Sequence, residues 1–381
     1  MQIEHSGALK NMKLKFITEL AEIERSQEQW DSVAGGYPFF RFAWMANWFR
    51  YFGSELKLAV LIAVGEDGQW KGIAPWCIDE SNPFIRKLRF LGSGCACSDY
   101  LDLIVASDDY RSFSTLTVDW LMENIGNAET LGRIDVIELE GITNTNSNTA
   151  FLCEVFEAWG LKSHSTELEG GWQVDLPSTW QELNARFSKS MRRKTKAAIK
   201  RINNPASEVL STQNESFDEL WPMFVALHQG RRKMLGQAGC FADPSFEMFL
   251  QQASKDLMEE DSAELLVILF EGRPLATKLC LFGGETVYFY QSGIDVERMN
   301  LEPGYQICYS AISRAIERGF KRFDFLRGDE PYKSRWDTTR IPMSRIRFVP
   351  PTSIAKLKHG IWLTGRSFKN YVSKSSIGAG S

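Results

Sequence analysis

Residues 287–336 read VYFYQSGIDVERMNLEPGYQICYSAISRAIERGFKRFDFLRGDEPYKSRW, an order of strand, loop, helix, strand and polar loop. The apolar run 287–290 predicts a strand that ends in Gln291, Ser292 and Gly293. Pro303 and Gly304 then open a helix in which Cys308, Ala311, Ile312, Ala315 and Ile316 take the spacing of a single apolar face. Gly319 closes that helix, and residues 320–326 form the next predicted strand. The start of such a helix presents N–H groups without intrahelical partners at the positive end of its dipole, so a pyrophosphate fits at Gly304, Tyr305 and Gln306. A plain packing unit is the other reading, because Pro followed by Gly is also ordinary capping chemistry.

At 381 residues the chain is long for one domain and comfortable for two, with cores that need no staples. Its seven cysteines include no CxxC pair, Cys95 and Cys97 being the nearest spacing, which reads as a reduced, cytoplasmic protein. The first residues lack the apolar core of a signal peptide, and no run approaches the roughly 18 apolar residues that span a bilayer. A soluble protein is expected, and without a Cys/His cluster of ligand spacing no metal is expected. Acids exceed bases by 48 to 44, which argues against a surface wholly adapted to nucleic acid. Locally the balance reverses: residues 186–201 carry eight bases and no acid, and residues 338–381 another eight with no Asp or Glu. Anion contacts are expected at both, with peripheral membrane contact open to the second.

Residues 56–64, a Gly65-Glu66-Asp67-Gly68 turn and residues 70–78 predict a hairpin. Residues 264–270, a Glu271-Gly272-Arg273-Pro274 turn and residues 275–282 predict a second. Each leads into more strand, helix and strand: 87–91, 100–105, a helix near 109–124 and 134–140 in the first half, and 287–325 in the second. The expected fold is therefore α/β, of the α+β kind with mixed sheets, duplicated in tandem. Lobes are expected at 1–165 and 166–350, then a basic, partly disordered tail at 351–381 with a short helix within 354–372. A helix from 177–179 to about 202, ended by Asn203-Asn204-Pro205, and two more at 217–233 and 244–258 precede the second hairpin.

In its element order the 287–336 stretch resembles the acetyltransferase core of the GNAT superfamily, and more narrowly its CelD-like branch, related to the FemAB peptidyltransferases. The narrower resemblance is carried by FDFLRGDEPYKSRW at 323–336, SKSMRRKTK at 188–196 and SDYLD at 98–102 after a Gly-rich turn. The usual GNAT pyrophosphate signature (Gln or Arg, two residues, Gly, one residue, Gly or Ala) is absent, and Asn300-Leu301-Glu302-Pro303-Gly304-Tyr305 stands in its place. The resemblance implies two GNAT-like acyltransferase lobes, the second binding the donor. It implies an acyl-CoA co-substrate such as acetyl-CoA, and an amine or hydroxyl acceptor on a small molecule or a saccharide or envelope precursor. Two alternatives stay open: an aminoacyl-tRNA-dependent peptidyltransferase of the FemAB kind, and a catalytically silent binding protein of an exopolysaccharide system.

Acyl transfer from a thioester needs a grip on the donor, polarisation of the carbonyl and an exit for the acceptor's proton. Gln291, Ser292 and Gly293 can hydrogen bond a pantetheine arm, because a strand that splays from its parallel neighbour leaves main-chain groups unpaired. Asp324, between Phe323 and Phe325, either faces a polar cleft as a catalytic or orienting acid or is buried and paired, with Arg327 a candidate partner. On the following loop Lys333 suits a phosphate or carboxylate and Tyr332 can protonate a leaving thiolate. The resemblance makes Lys333 and its aromatic neighbours hallmark positions, although Lys333 could instead pair with Asp329 and Trp336 pack the lobe. Asp99 and Asp102 are expected on one face of a strand start, where the resemblance places Asp99 and Tyr100 at the acceptor cleft. The basic run with Arg192, Arg193 and Lys196 is either an anion site or a solvated face. His228, with Arg231 and Arg232 at helical spacing, is either structural or a reach into the cleft, and Arg232 and His228 join the candidate substrate contacts.

Overall fold

The computed structural model describes residues 12–143, 147–352 and 354–361. Of the expected tail, residues 354–361 are helical, and 362–381 lie outside the described residues, as does the start of the chain. The described residues form two sheets. The larger has eleven strands, in the spatial order Ser207–Ser211, Ala263–Phe270, Arg273–Gly283, Thr286–Ile294, Arg322–Asp324, Lys162–Asp175, Thr339–Val349, Val136–Ile142, Lys87–Phe90, Trp76–Asp79 and Leu56–Leu58. The smaller has four: Lys13–Ile17, Val60–Val64, Trp70–Ala74 and Ile104–Val105.

Two neighbouring pairs of the large sheet are parallel, Thr286–Ile294 with Arg322–Asp324 and Lys87–Phe90 with Val136–Ile142. Parallel strands need a crossover, and each pair has a helical one, Pro303–Glu317 in the second half and Tyr110–Asn124 in the first. That repeated unit makes the molecule two α/β lobes in tandem. The lobes share strands. Lys162–Asp175 pairs with Thr339–Val349 and, at its far end, with Arg322–Asp324, while Thr339–Val349 also pairs with Val136–Ile142. The 165/166 division falls inside the first of these strands.

Several elements depart from their expected form. The first hairpin steps from one sheet to the other: Val60–Val64 and Trp70–Ala74 pair in the small sheet, Leu56–Leu58 and Trp76–Asp79 in the large one. The step falls at Ala59 and Pro75, and Pro75 has no N–H with which to continue a ladder. The helix expected to run unbroken to residue 202 is two, Trp180–Arg186 and Lys189–Ile202. Phe187 takes an extended conformation that buries its ring, and the Ser188 hydroxyl restarts the helix by accepting the Met191 N–H at 3.2 Å. Pro303–Glu317 lays Ile307, Cys308, Ala311 and Ile312 against Val287 and Phe289, forming a core separate from the larger one that spans both lobes.

Candidate active site

Thr286–Ile294 and Arg322–Asp324 pair only over Thr286, Val287 and Tyr288. Past that point they part, and the Phe325 N–H donates to the Trp172 carbonyl instead. The opening beneath the Pro303–Glu317 helix is a cleft of about 360 Å³ whose walls include Phe289, Ser292, Glu302, Gly304, Tyr305, Cys308, Tyr332 and Trp336. A β-bulge decides which side chains face it. Leu279 pairs with Gln291 and Cys280 with Phe289, so Tyr290 is the extra residue. Phe289 and Ser292 thereby share the cleft face, while the Gln291 side chain meets His228. Gly293 has another reason to be glycine: a Cβ there would lie 2.5 Å from the backbone nitrogen of His228.

The helix start is less open than its sequence suggests. The N–H groups of Tyr305 and Gln306 both donate to the Glu302 carbonyl, at 3.1 and 3.4 Å, so that of the three expected phosphate ligands Gly304 alone has an N–H without a partner among the described residues. Glu302 itself lies in the left-handed region (φ 54°), and its carboxylate is ion-paired to Lys194 and, at 2.5 Å, to Arg201. Burial opposes ionisation there, but hydrogen bonds from those two cations hold the carboxyl below its usual range. An anion of the protein thus stands where a ligand's was expected. Beside it the cleft opens, across Tyr305 and Arg335, into a basin walled by Arg186, Ser188, Ser190 and Lys194. Arg192, Arg193, Lys189 and Lys196 line a further exposed basin on the same helix.

Behind the cleft lies a buried polar centre to which both lobes contribute. Asp324, with no exposed surface, accepts hydrogen bonds from Gln173 Nε2 and the Leu326 N–H, each at 2.7 Å, and from the Tyr100 hydroxyl. Burial pushes its carboxyl up to about 6. Arg327 partners Asp99 and not Asp324: Nε lies 3.0 Å from the Asp99 carboxylate, and the Arg327 N–H donates to it at 2.7 Å. Burial raises the Asp99 carboxyl too, against the pull of Arg327. The expected strand at 100–105 exists only as Ile104–Val105, because Tyr100 adopts φ 54° and swings its ring toward Asp324. Asp99 and Asp102 do not share a face, and three residues apart even a regular strand would have turned them to opposite sides. Asp102 is bonded internally to Tyr110, Thr149 (2.7 Å) and the Leu103 N–H (2.8 Å).

Lys333 is buried, and its ammonium donates to the carbonyls of Leu326 (3.1 Å) and Arg327 (2.9 Å) and pairs with Glu330 at 3.0 Å. Those three contacts use its three donors, so it clamps the turn carrying Arg327; Asp329, the partner weighed from sequence, pairs with Arg340 instead. Tyr332 and Trp336 do line the cleft. Arg232 is exposed and bonded to Gln237 at 3.0 Å, whereas Arg231 reaches the cleft wall. His228 is buried beside Phe224 and Phe241, 3.7 Å from the Cys240 sulfur, and burial pushes its pKa down to about 4. Sequence reading passed over Gln173 and Lys278, and of the pair Arg231 and Arg232 it carried only the second forward as a substrate contact; Lys278 had a signal, a lysine inside the apolar run LATKLCLF. Among the described residues no His, Cys, Asp and Glu group could hold a metal, and no helix is long and apolar enough to cross a membrane.

Residues 185–334 match the family of acetyltransferase (GNAT) domains, the segment that builds this cleft. This chain carries a GNAT domain. Together with the repeated parallel pair and crossover helix, this makes the molecule two GNAT-like lobes in tandem. Solved structures share the fold at low identity. FemX superposes with a TM-score of 0.63 at 14% identity, over 88% of this chain and 97% of its own. A conserved protein of unknown function from Bacteroides thetaiotaomicron gives 0.56 at 10%, over 88% and 100%. L-PGS from Bacillus licheniformis gives 0.53 at 11%, over 87% and 93%. No curated protein matches the sequence significantly.

Proposed function

We propose that this GNAT-domain protein, a CelD-like member of its superfamily, transfers an acyl group from acyl-CoA, acetyl-CoA in the first instance, to an amine or hydroxyl of a small molecule or of a saccharide or envelope precursor. The observation that carries this is the cleft between the parted strands, apolar along its length and basic at its mouth. A pantetheine arm would run past Ser292, Gly304 and Tyr305, with the nucleotide phosphates in the basin of Arg186 and Arg335, since Glu302 occupies the helix start and holds Lys194. Tyr332, whose pKa burial raises well above normal, holds a proton at neutral pH and can give it to the leaving thiolate. Asp324 is the group suited to receive the acceptor's proton, its carboxyl lying close to working pH. Asp99 and Tyr100 orient that end of the site, Trp336 walls it, and Lys333 acts by holding the Arg327 turn.

A second reading, aminoacyl-tRNA as donor, draws on one feature: Lys189, Arg192, Arg193 and Lys196 are exposed and have no acidic partner among the described residues. The fold shared with FemX is compatible with either. Thermal unfolding of the purified protein with acyl-CoAs and, separately, with charged tRNAs divides them, because a ligand that binds the native state raises Tm by mass action. Acetyl-CoA is expected to raise Tm and tRNA to leave it unmoved; the reverse pattern would move the donor to tRNA. Indifference to both would make the chain a binding protein for something else.

A further inference from the structure

Lys278 lies in the middle of Arg273–Gly283, opposite Ser292 on the neighbouring strand, and is 2% exposed. Its ammonium sits 3.3 Å from the centre of the Phe289 ring. Phe289 and Ser292 both line the donor cleft, and Cys308 lines it from the helix above. The charged or titratable groups facing Lys278 are Cys280 on its own strand, Cys308 on the Pro303–Glu317 helix, Lys333 and Glu330 on the loop after Arg322–Asp324, and His228 on the helix behind. Glu330, the one carboxylate among them, is taken by Lys333 at 3.0 Å. Lys278 therefore has no ion pair among the described residues. A buried ammonium without a counter-ion is costly, and burial lowers its pKa to about 7. A methionine would fill the same apolar space without that cost.

We infer that Lys278 is a self-acylation site, whose amine takes the acyl group of a thioester held in the adjoining cleft. The step needs only the two groups present. The Nζ lone pair attacks the thioester carbonyl carbon, the C–N bond forms, the C–S bond breaks, and the proton lost from nitrogen passes to the departing thiolate. The products are free CoA and an uncharged ε-N-acyl-lysine. Acylation removes a buried cation packed on Phe289 of this wall, so a modified molecule would carry a different donor cleft from an unmodified one.

The inference rests on acyl-CoA being the donor, and the test separates the two. The full chain is incubated with acetyl-CoA between pH 6 and 9, binding is followed by thermal shift, and acetyl-lysine is located by peptide mass spectrometry. Modification at residue 278 is expected to approach one acetyl group per chain. Its initial rate should rise about tenfold from pH 6 to pH 8 and then level, the profile of an amine titrating near 7; an ordinary surface lysine would rise about a hundredfold and keep rising. Lys278→Arg should abolish acetylation at this position and leave the shift in Tm on acetyl-CoA binding in place. Binding without acetylation at 278 at any pH would overturn the inference and spare the donor assignment; absence of binding would overturn both. Acetylation at 278 with the surface-lysine profile would also overturn it.

Discussion

Asp324 and Lys278 are both buried, and pH should act on them in opposite directions. Folded Asp324 keeps its proton up to about pH 6, while the unfolded chain ionises it near the ordinary carboxylate value of 3.8. Its favourable contribution is therefore complete below the unfolded pKa and is lost as pH rises through 6. Asp324→Asn removes that dependence. The stability of wild type minus variant should fall by about 1–3 kcal/mol between pH 4 and 7, measured by urea unfolding at each pH; a difference that ignores pH would mean an ordinary carboxyl in the fold. Lys278 is protonated in the unfolded chain up to about 10.5 and in the fold only up to about 7, so the native state is penalised at and below pH 7 and relieved as pH climbs toward 10.5. Lys278→Met should be more stable than wild type at pH 7, with the advantage shrinking toward pH 10. Constant advantage across that interval would show that packing, and not charge, governs the position.

The Pro303–Glu317 helix and the strand before it set how a donor can be held. With Glu302 bonded to Lys194 and Arg201, two cations that could meet phosphate are spent on the protein's own carboxylate. Glu302→Gln should release them and remove a negative charge from a helix N-terminus. Acetyl-CoA binding by calorimetry is expected to tighten about fivefold at low salt and by less at high salt; unchanged affinity would show that the phosphates lie elsewhere. This helix was legible from sequence because its evidence is local: apolar residues at helical spacing between a Pro-Gly start and Gly319, whose φ of 81° suits glycine. The second hairpin was legible for the same reason. The bulge at Tyr290 was not, since it arises in pairing with Leu279 and Cys280, and it reversed which of Gln291 and Ser292 faces the cleft. Nor could spacing reveal that Arg327 belongs to Asp99, 228 residues away, when Asp324 was the neighbour in sequence.

At the scale of the molecule the sheet runs unbroken through both lobes, and the strand that closes the first comes from the end of the second. Thr339–Val349 lies between Val136–Ile142 and Lys162–Asp175, with Phe348 against Phe156 (4.8 Å between ring centres), Arg345 on Glu140 (2.8 Å) and Arg347 on Glu138 (3.2 Å). Lobe boundaries at 165/166 describe the duplication in sequence, yet they cut a strand and separate Val136–Ile142 from a neighbour. Calorimetric unfolding of the whole chain should accordingly give one transition whose calorimetric and van't Hoff enthalpies agree. A fragment of residues 1–165 should lack a cooperative melt, because the Val136–Ile142 edge would stand unpaired and Phe156 would lose the ring packed on it. Adding the Thr339–Val349 segment as a synthetic peptide should restore part of the near-ultraviolet circular dichroism by re-forming that pairing. Were the fragment to melt cooperatively alone, the first lobe would be an independent domain and the shared strand an accessory. Loss of the fragment's structure and its recovery with the peptide would instead tie the two halves of the polar centre, Asp99 with Tyr100 and Asp324 with Arg327, to a single folding event.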